Sequence, residues 1–265
     1  MKKLIFLSAL LMILINGMAA YPVSANKPVK ILFIGSSYFN FNKLPDLFQN
    51  LVFSTEHEIV TEHYIPSGQY LADHASNIIT EKIIQLDKWD YVVLQGVGSQ
   101  VAYPDKITHH PVYPSLRLLK EKILKNHPST RIIFCLPWAF EDGMSWKEGW
   151  SDQYKDMQVK IDSVTRLYAH ELDLLVAPVG HTWHLVLEEK KFPLHYLHQS
   201  DWNHPTMKGS YLMACVIFST IFQESTEGNS YGADLSSEEV KYFQRVASGN
   251  VLDNLEHWSI PKINR

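Results

Sequence analysis

The chain has 265 residues, of which 46% are hydrophobic and 20% are charged, so its composition is that of a folded globular protein rather than a disordered one. Its 24 basic and 28 acidic residues give a formal net charge of -4 without any long basic run, which argues against nucleic acid as a partner. The two cysteines, Cys135 and Cys215, both lie inside apolar runs, which excludes a disulfide scaffold and a cysteine-based zinc site.

Residues 1–25 have the pattern of a secretory signal peptide. Two lysines precede an apolar stretch at 4–15, which is shorter than the ~20 residues that a membrane span needs. Small residues then lead to a cleavage site after Ala25, with an earlier one after Ala20 as an alternative. We therefore expect an exported protein, periplasmic or secreted, whose residues 26–265 form one domain with no stable membrane insertion. An uncleaved anchor or a core helix is the other interpretation.

Short, nearly continuous apolar runs predict buried parallel strands. They lie at residues 29–34, 90–94, 131–136 and 174–177. Residues 58–65 also have strand character but include Glu62 and His63, which an edge strand tolerates better than a central one. This segment is therefore predicted to lie at the edge of the sheet.

Helical patterns fill the intervals between the strands. Apolar residues recur at spacings of three and four over residues 116–123 and 154–172, and further helices are expected at about 205–222 and after Ser236, which has capping-box spacing to Glu239. The alternation predicts an α/β fold, a three-layer α/β/α sandwich with right-handed crossovers. In such folds the functional site lies at the carboxyl ends of the strands.

The first strand is followed directly by the turn Gly35-Ser36-Ser37, which opens a helix. A turn of this kind projects a side chain at the carboxyl edge of the sheet and exposes backbone N–H groups, so a serine there is a candidate nucleophile. When these residues are taken alone, plain turn chemistry is the commoner explanation for them. A phosphate-binding loop is excluded, because neither glycine spacing of such loops is present.

A second polar segment lies near the C-terminal end and reads Asp201-Trp202-Asn203-His204-Pro205. The proline favours a helix start, so His204 lies at the mouth of that helix with Asp201 three residues before it. An acid at this distance can orient an imidazole. An aspartate that caps a loop and a histidine bonded to the backbone would give the same pattern.

These segments together resemble the SGNH (GDSL-like) hydrolases. The resemblance covers residues 29 to 222, most of the predicted mature chain, and the chain is most similar to a secreted bacterial group within that superfamily. The blocks that carry the resemblance are Gly35-Ser36-Ser37, the turn around Gly68, Leu94-Gln95 with Gly96-Val97-Gly98-Ser99, Pro178-Val179-Gly180, and Asp201-x-x-His204-Pro205.

The resemblance implies a flavodoxin-like fold around a parallel five-stranded sheet, and ester hydrolysis with Ser37 as the nucleophile. His204 is then the base and Asp201 the acid that orients it. Chemistry agrees with this assignment, because a hydroxyl at its ordinary pKa is a poor nucleophile and needs a base within hydrogen-bond reach.

Ester hydrolysis also needs donors for the oxyanion that forms on attack. The N–H groups of Ser37 and Gly68 are candidates, since glycine allows a close approach of the substrate. The asparagine that supplies a third donor in the family has no counterpart here. Gln95 carries the same amide and is our candidate, with Ser99 or Gln100 as alternatives.

Most of the tryptophans fall on the side of the predicted site. Those after the fourth and fifth strands or within the Asp-x-x-His segment are Trp138, Trp146, Trp150, Trp183 and Trp202. Aromatic faces suit sugar rings, so Trp138, Trp183 and Trp202 are predicted to bind substrate; packing of loops against the domain is the competing explanation.

The histidines His181 and His184, and likewise His195 and His198, have helical spacing that could suggest a metal. No carboxylate or cysteine stands in ligand register in the sequence, so we expect neither a metal nor another cofactor. The leading hypothesis is an exported serine esterase that removes small acyl groups, such as acetyl, from a carbohydrate or cell-envelope ester. A non-catalytic glycan-binding protein on the same fold and a metal-dependent hydrolase are the alternatives.

Overall fold

The structure, a computed structural model, describes residues 27–148, 150 and 152–263; the predicted signal peptide, residues 1–25, lies outside them. The strands are β1 Val29–Ile34, β2 Ile59–Tyr64, β3 Tyr91–Gln95, β4 Arg131–Cys135 and β5 Leu175–Ala177. The helices are α1 Ser37–Asn40, α2 Leu44–Phe53, α3 Leu71–Ser76, α4 Ile78–Gln85, α5 Gly98–Ala102, α6 Val112–Asn126, α7 Tyr154–Glu171, α8 Val179–Glu189, α9 Met207–Phe222 and α10 Ser237–Leu252, with a 3-10 turn at Phe41–Lys43.

The five strands form one parallel sheet in the order β2-β1-β3-β4-β5, which confirms the predicted flavodoxin-like topology. Ile34 of β1 pairs with Tyr64 of β2 and with Leu94 of β3, so these three strands end level with one another. The segments that follow them therefore meet at one edge of the sheet. As predicted, β2 is an edge strand, and its Glu62 and His63 are exposed to solvent.

Helices cover both faces of the sheet, as the three-layer prediction requires. In one layer α9 packs against α2, α8 and α10, and in the other α4 and α3 pack against α6. Tyr113 of α6 also contacts Tyr168 of α7, with ring centroids 5.0 Å apart. This division follows from right-handed crossovers between parallel strands. Connections to strands on one side of β1 lie on one face of the sheet, and connections to strands on its other side lie on the opposite face.

Helix α9 is the most deeply buried helix, and all of its residues from Gly209 to Phe222 are buried. It is apolar on every side because it is packed between α2, α8 and α10 rather than exposed on one face. In the part of the chain that the structure describes, no helix combines the length and apolar character needed to cross a membrane.

Cys135 and Cys215 are both buried and unpaired, as the apolar runs around them predict. Burial raises the pKa of Cys215 to about 12 and that of Cys135 further still. Because the thiolate is the reactive form, neither thiol is a candidate nucleophile.

Candidate active site

Ser37 lies at the point where β1 passes into α1. Ser36 has an extended backbone, φ -127° and ψ -153°, and Ser37 is the first helical residue. This abrupt change of direction leaves the Ser37 side chain half-buried at the edge of the sheet, whereas Ser36 is only 3% exposed. Of the two serines, Ser37 is therefore the one that a substrate can reach.

The structure brings together the three residues of the predicted triad. Ser37 Oγ lies 2.8 Å from His204 Nε2, and His204 Nδ1 lies 2.6 Å from Asp201 Oδ2. Since a carboxylate only accepts, Nδ1 carries the imidazole proton and Nε2 is free to accept the hydroxyl proton of Ser37. This order of donors is the one that general-base activation of a serine requires.

Asp201 is ionised in this arrangement. Partial burial raises its pKa, but hydrogen bonds from the backbone and side chain of His204 and from the backbone of Asn203 outweigh that effect and hold the pKa below its ordinary value. Asp201 Oδ1 accepts the two backbone bonds, at 2.9 Å from His204 N and 3.1 Å from Asn203 N. One oxygen thus fixes the turn while the other holds the imidazole.

A tight hairpin keeps the histidine in place. Gln199 N–H donates to His204 O at 2.7 Å, and the Gln199 side chain donates to Pro205 O at 3.0 Å. The flanking residue His198 forms an antiparallel bridge with Pro205. The Asp-x-x-His segment is therefore a closed turn rather than a loose loop.

The 3-10 turn after α1 joins the serine segment to the histidine segment. The Phe41 ring stacks on the His204 imidazole, with centroids 4.1 Å apart and planes 14° from parallel. Asn42 Nδ2 donates to Pro205 O at 3.1 Å and to Ser210 Oγ at 2.9 Å. Sequence reasoning missed both residues, because an aromatic and an amide after a turn carry no distinctive spacing.

Two backbone N–H groups are available for an oxyanion. Within the described part of the chain, neither Ser37 N nor Gly68 N donates to a protein acceptor. Gly68 has φ +79°, a conformation that favours glycine, and an Asn40–Ser67 side-chain hydrogen bond of 3.2 Å ties its turn to α1. Their geometry is compatible with the donor role that the sequence predicts for them.

Gln95 has partners that the sequence did not indicate. Its Oε1 accepts from Ser36 N at 2.8 Å and from Ser36 Oγ at 2.9 Å, and its Nε2 donates to Gly96 O at 2.6 Å. A Cβ on Gly35 would lie 2.8 Å from this Oε1, so the amide and the turn are packed closely. The contacts favour a role for Gln95 in holding the turn that carries Ser37, rather than the predicted role of oxyanion donor.

The Gln95→Leu variant is therefore expected to lose stability as well as activity. Leaving Ser36 N–H and Gly96 O buried without partners costs about 3 kcal/mol, which corresponds to a fall in Tm of roughly 6–12 °C for a domain of this size. Thermal unfolding and kcat on p-nitrophenyl acetate, measured side by side, test this expectation.

The comparison variant is Gln100→Leu, which removes another buried amide. A fall in kcat for Gln95→Leu at unchanged Tm would instead indicate an oxyanion donor. The same outcome for Gln100→Leu would transfer the donor role to Gln100.

The prediction that Trp138 and Trp183 bind substrate is wrong. Both side chains are completely buried, and their rings stack on each other at 4.3 Å with planes 3° apart. Tyr38 continues the stack on Trp138 at 4.5 Å, and Trp138 Nε1 donates to Asn203 O at 2.9 Å. These rings support the Asp-x-x-His turn from below. Trp202, the third tryptophan predicted to bind substrate, is 40% exposed, so for this residue the role stays a prediction.

The histidine pairs are engaged by protein groups. His181 Nδ1 lies 2.7 Å from Asp162 Oδ2, and His195 Nδ1 lies 2.6 Å from Glu141 Oε2, so carboxylates do stand next to them, contrary to the sequence interpretation. His198 Nε2 donates to Ala139 O at 2.9 Å, and burial lowers the pKa of His198 to about 4. Among the described residues, no three potential ligands converge on one point that a metal ion could occupy.

Comparison with known proteins identifies relatives by structure alone. No family model and no curated protein matches the sequence. The structure is similar to that of a DUF4886 family protein from Bacteroides uniformis, with a TM-score of 0.66 and 17% identity over 85% of this chain and 95% of that one.

Two further solved structures show the same architecture. A protein assigned as an SGNH hydrolase from Slackia heliotrinireducens has a TM-score of 0.58 and 21% identity over 72% of this chain and 97% of that one. A catalytic mutant of an acetylxylan esterase from Geobacillus stearothermophilus has a TM-score of 0.50 and 17% identity over 78% of this chain and 97% of that one. The fold is that of the SGNH hydrolases, as the sequence resemblance implied.

Proposed function

We propose that the protein is a serine esterase in which Ser37 is the nucleophile, His204 the general base and Asp201 the acid that orients the base. The observation that carries this proposal is the continuous hydrogen-bonded chain from Ser37 Oγ through the imidazole to Asp201, with links of 2.8 and 2.6 Å. Ser37 lies 167 positions from His204 in sequence, and it meets the Asp-x-x-His segment in the order that the chemistry requires.

The reaction proceeds in two halves. Ser37 Oγ attacks the ester carbonyl carbon while its proton passes to His204 Nε2, and the resulting oxyanion accepts hydrogen bonds from the N–H groups of Ser37 and Gly68. The imidazolium then gives the proton to the departing alcohol, which leaves an acyl group on Ser37. A water molecule, deprotonated by the same imidazole, attacks the acyl carbon of this acyl-enzyme. The bond from that carbon to Ser37 Oγ then breaks, the imidazolium returns the proton to Oγ, and the carboxylic acid leaves.

The substrate that we propose is a small acyl ester, such as an acetyl ester, of a carbohydrate or cell-envelope polymer. The similarity in fold to an acetylxylan esterase supports the acetyl group and the sugar. The signal-peptide pattern of residues 1–25 supports export to the compartment where such polymers are found.

Hydrolysis of a p-nitrophenyl ester series, from acetate to octanoate, tests the proposal. We expect the highest kcat/KM with acetate, no effect of EDTA, and loss of activity after treatment with a fluorophosphonate. Peptide mass analysis should place the fluorophosphonate adduct on Ser37. Binding of glycans without any hydrolysis would favour the non-catalytic alternative, and inhibition by EDTA would favour a metal-dependent hydrolase.

A further inference from the structure

An open cleft of about 380 Å³ lies beside the carboxylate end of the proposed triad. Its lining residues are Phe140, Asp142, Trp146, Asp201, Trp202 and Asn203. Asp201 belongs both to the cleft, which it lines, and to the proposed triad, in which its Oδ2 accepts a hydrogen bond from His204 Nδ1. The cleft is therefore adjacent to the acid of the proposed triad.

Trp202 presents its indole to this cleft from a backbone conformation that is rare for a bulky residue. Its φ is +66°, in the left-handed region, and yet its side chain is 40% exposed. The backbone is held on both sides, by Trp202 N–H donating to Gln199 O and by Glu141 N–H donating to Trp202 O, each at 2.9 Å. The indole also packs edge to face against the His195 ring, with centroids 5.0 Å apart, and it lines the cleft with the surface that remains exposed.

The loop that carries Asp142 and Trp146 also lines the cleft. Trp146 is 63% exposed, and Asp142 Oδ1 is shielded from solvent without a hydrogen-bond partner among the described residues. Desolvation raises the pKa of Asp142. Gly143 turns the loop with φ +67°, and a Cβ there would lie 2.3 Å from Asp152 O. The backbone N–H of Asp142 itself partly offsets the rise in its pKa, so the loop brings to the cleft a carboxylate that no other described residue binds.

We propose that this cleft is a sugar-binding subsite for the alcohol part of the ester, with Trp146 and Trp202 against the ring and Asp142 accepting from a sugar hydroxyl. The proposal rests on the esterase function proposed above. A sugar ring combines apolar C–H faces with hydroxyl donors, and the cleft offers aromatic surfaces beside the carboxylates of Asp142 and Asp201. An alkyl chain would bring no donor to either carboxylate.

This subsite differs from the one that the sequence predicted. Of the three tryptophans expected to bind substrate, only Trp202 is retained, and Trp146 and Asp142 are added. Trp138 and Trp183 act beneath the site, where they support the turn that carries Asp201 and Trp202.

The Trp146→Ala variant tests the subsite, because a 63% exposed side chain contributes little to the core. We expect the ratio of kcat/KM on O-acetylated xylo-oligosaccharides to kcat/KM on p-nitrophenyl acetate to fall at least tenfold, mainly through KM for the oligosaccharide. The matched control is Phe53→Ala, which removes another 63% exposed aromatic, at the end of α2 and outside the lining of the cleft. The control should leave the ratio unchanged.

Trp202→Gly supplies a second variant, since glycine accepts the left-handed backbone without strain. We expect the same fall in the ratio with Tm within a few degrees of the parent protein. An unchanged ratio in both variants would overturn the subsite. Faster hydrolysis of acetylcholine than of the acetylated oligosaccharides would overturn the assignment of a sugar to this cleft. It would indicate instead a cationic alcohol held between the two indoles and Asp142.

Binding to a hydrolysis-deficient protein separates this proposal from the proposed function. In the Ser37→Ala background, calorimetric titration with O-acetylated xylo-oligosaccharides should show binding that Trp146→Ala weakens at least tenfold. Suppose that the parent protein hydrolyses no ester, but that the oligosaccharides bind and Trp146→Ala weakens their binding. The proposed subsite would then be supported and the proposed esterase function contradicted. Ester hydrolysis by the parent protein without oligosaccharide binding would contradict the subsite alone.

Discussion

Replacing Ser37 with alanine is expected to lower kcat on p-nitrophenyl acetate by about 10⁴–10⁶-fold, because no other group can form the acyl-enzyme. The fold should be unaffected, since the half-buried Ser37 hydroxyl bonds only to His204 Nε2 among the described residues. Initial rates with purified protein, together with far-UV circular dichroism and Tm, measure both effects.

Ser36→Ala is the matched control for this variant. Ser36 Oγ donates to Gln95 Oε1, but Ser36 N–H donates to the same oxygen and keeps it satisfied after the hydroxyl is removed. We expect less than a tenfold loss of kcat and a Tm lower by a few degrees at most. A dispensable Ser37 combined with an essential Ser36 would show that the nucleophile is the neighbouring residue.

The arrangement of the sheet could be predicted from sequence because its causes are local and strong. Buried parallel strands are continuous apolar runs, and the observed β1, β3, β4 and β5 agree with the predicted strands within one residue at each end. Glu62 and His63 likewise indicated the edge position of β2, since charged groups at a central position would be buried. The Ser236 capping box with Glu239 begins α10 as expected.

The direction of side chains at the strand ends could not be predicted in the same way. Trp138 follows β4, on the correct edge of the sheet, but nothing in the local sequence shows whether its indole turns outward or into the core. The stack with Tyr38 and Trp183 decides this, and those residues lie 100 and 45 positions away in sequence. The loop of Trp146 closes over a short span, with Met144 N–H donating to Asp152 O at 2.8 Å.

Gln95 illustrates the same limit at the proposed site. Its position after β3 correctly placed it beside the serine turn, because β1 and β3 are neighbours and end level. The amide can satisfy either the turn or a substrate, and the choice depends on the approach of Ser36 N–H and Gly96 O in three dimensions. A residue's place along a strand therefore predicts its neighbourhood, whereas its partners follow only from packing.

His204→Ala is expected to be about as damaging as Ser37→Ala, because without a base the Ser37 hydroxyl keeps its proton at the moment of attack. Asp201→Asn is expected to cost less, about 10³–10⁴-fold in kcat. An asparagine can still accept the backbone N–H groups of Asn203 and His204 through its oxygen. Its NH₂ group then faces Nδ1, which favours the imidazole tautomer that presents a proton rather than a lone pair to Ser37.

The pH dependence of kcat/KM distinguishes this mechanism from one without a histidine base. Only the neutral imidazole accepts the Ser37 proton, so kcat/KM should be lost towards acidic pH. Asp201 should not contribute to this loss near neutral pH, because its depressed pKa keeps the carboxylate charged and protonation would remove its support only at lower pH. The measurement is kcat/KM on p-nitrophenyl acetate from pH 5 to 9, corrected for spontaneous hydrolysis. A profile that is flat over this range would contradict His204 as the base, even if Ser37→Ala were inactive.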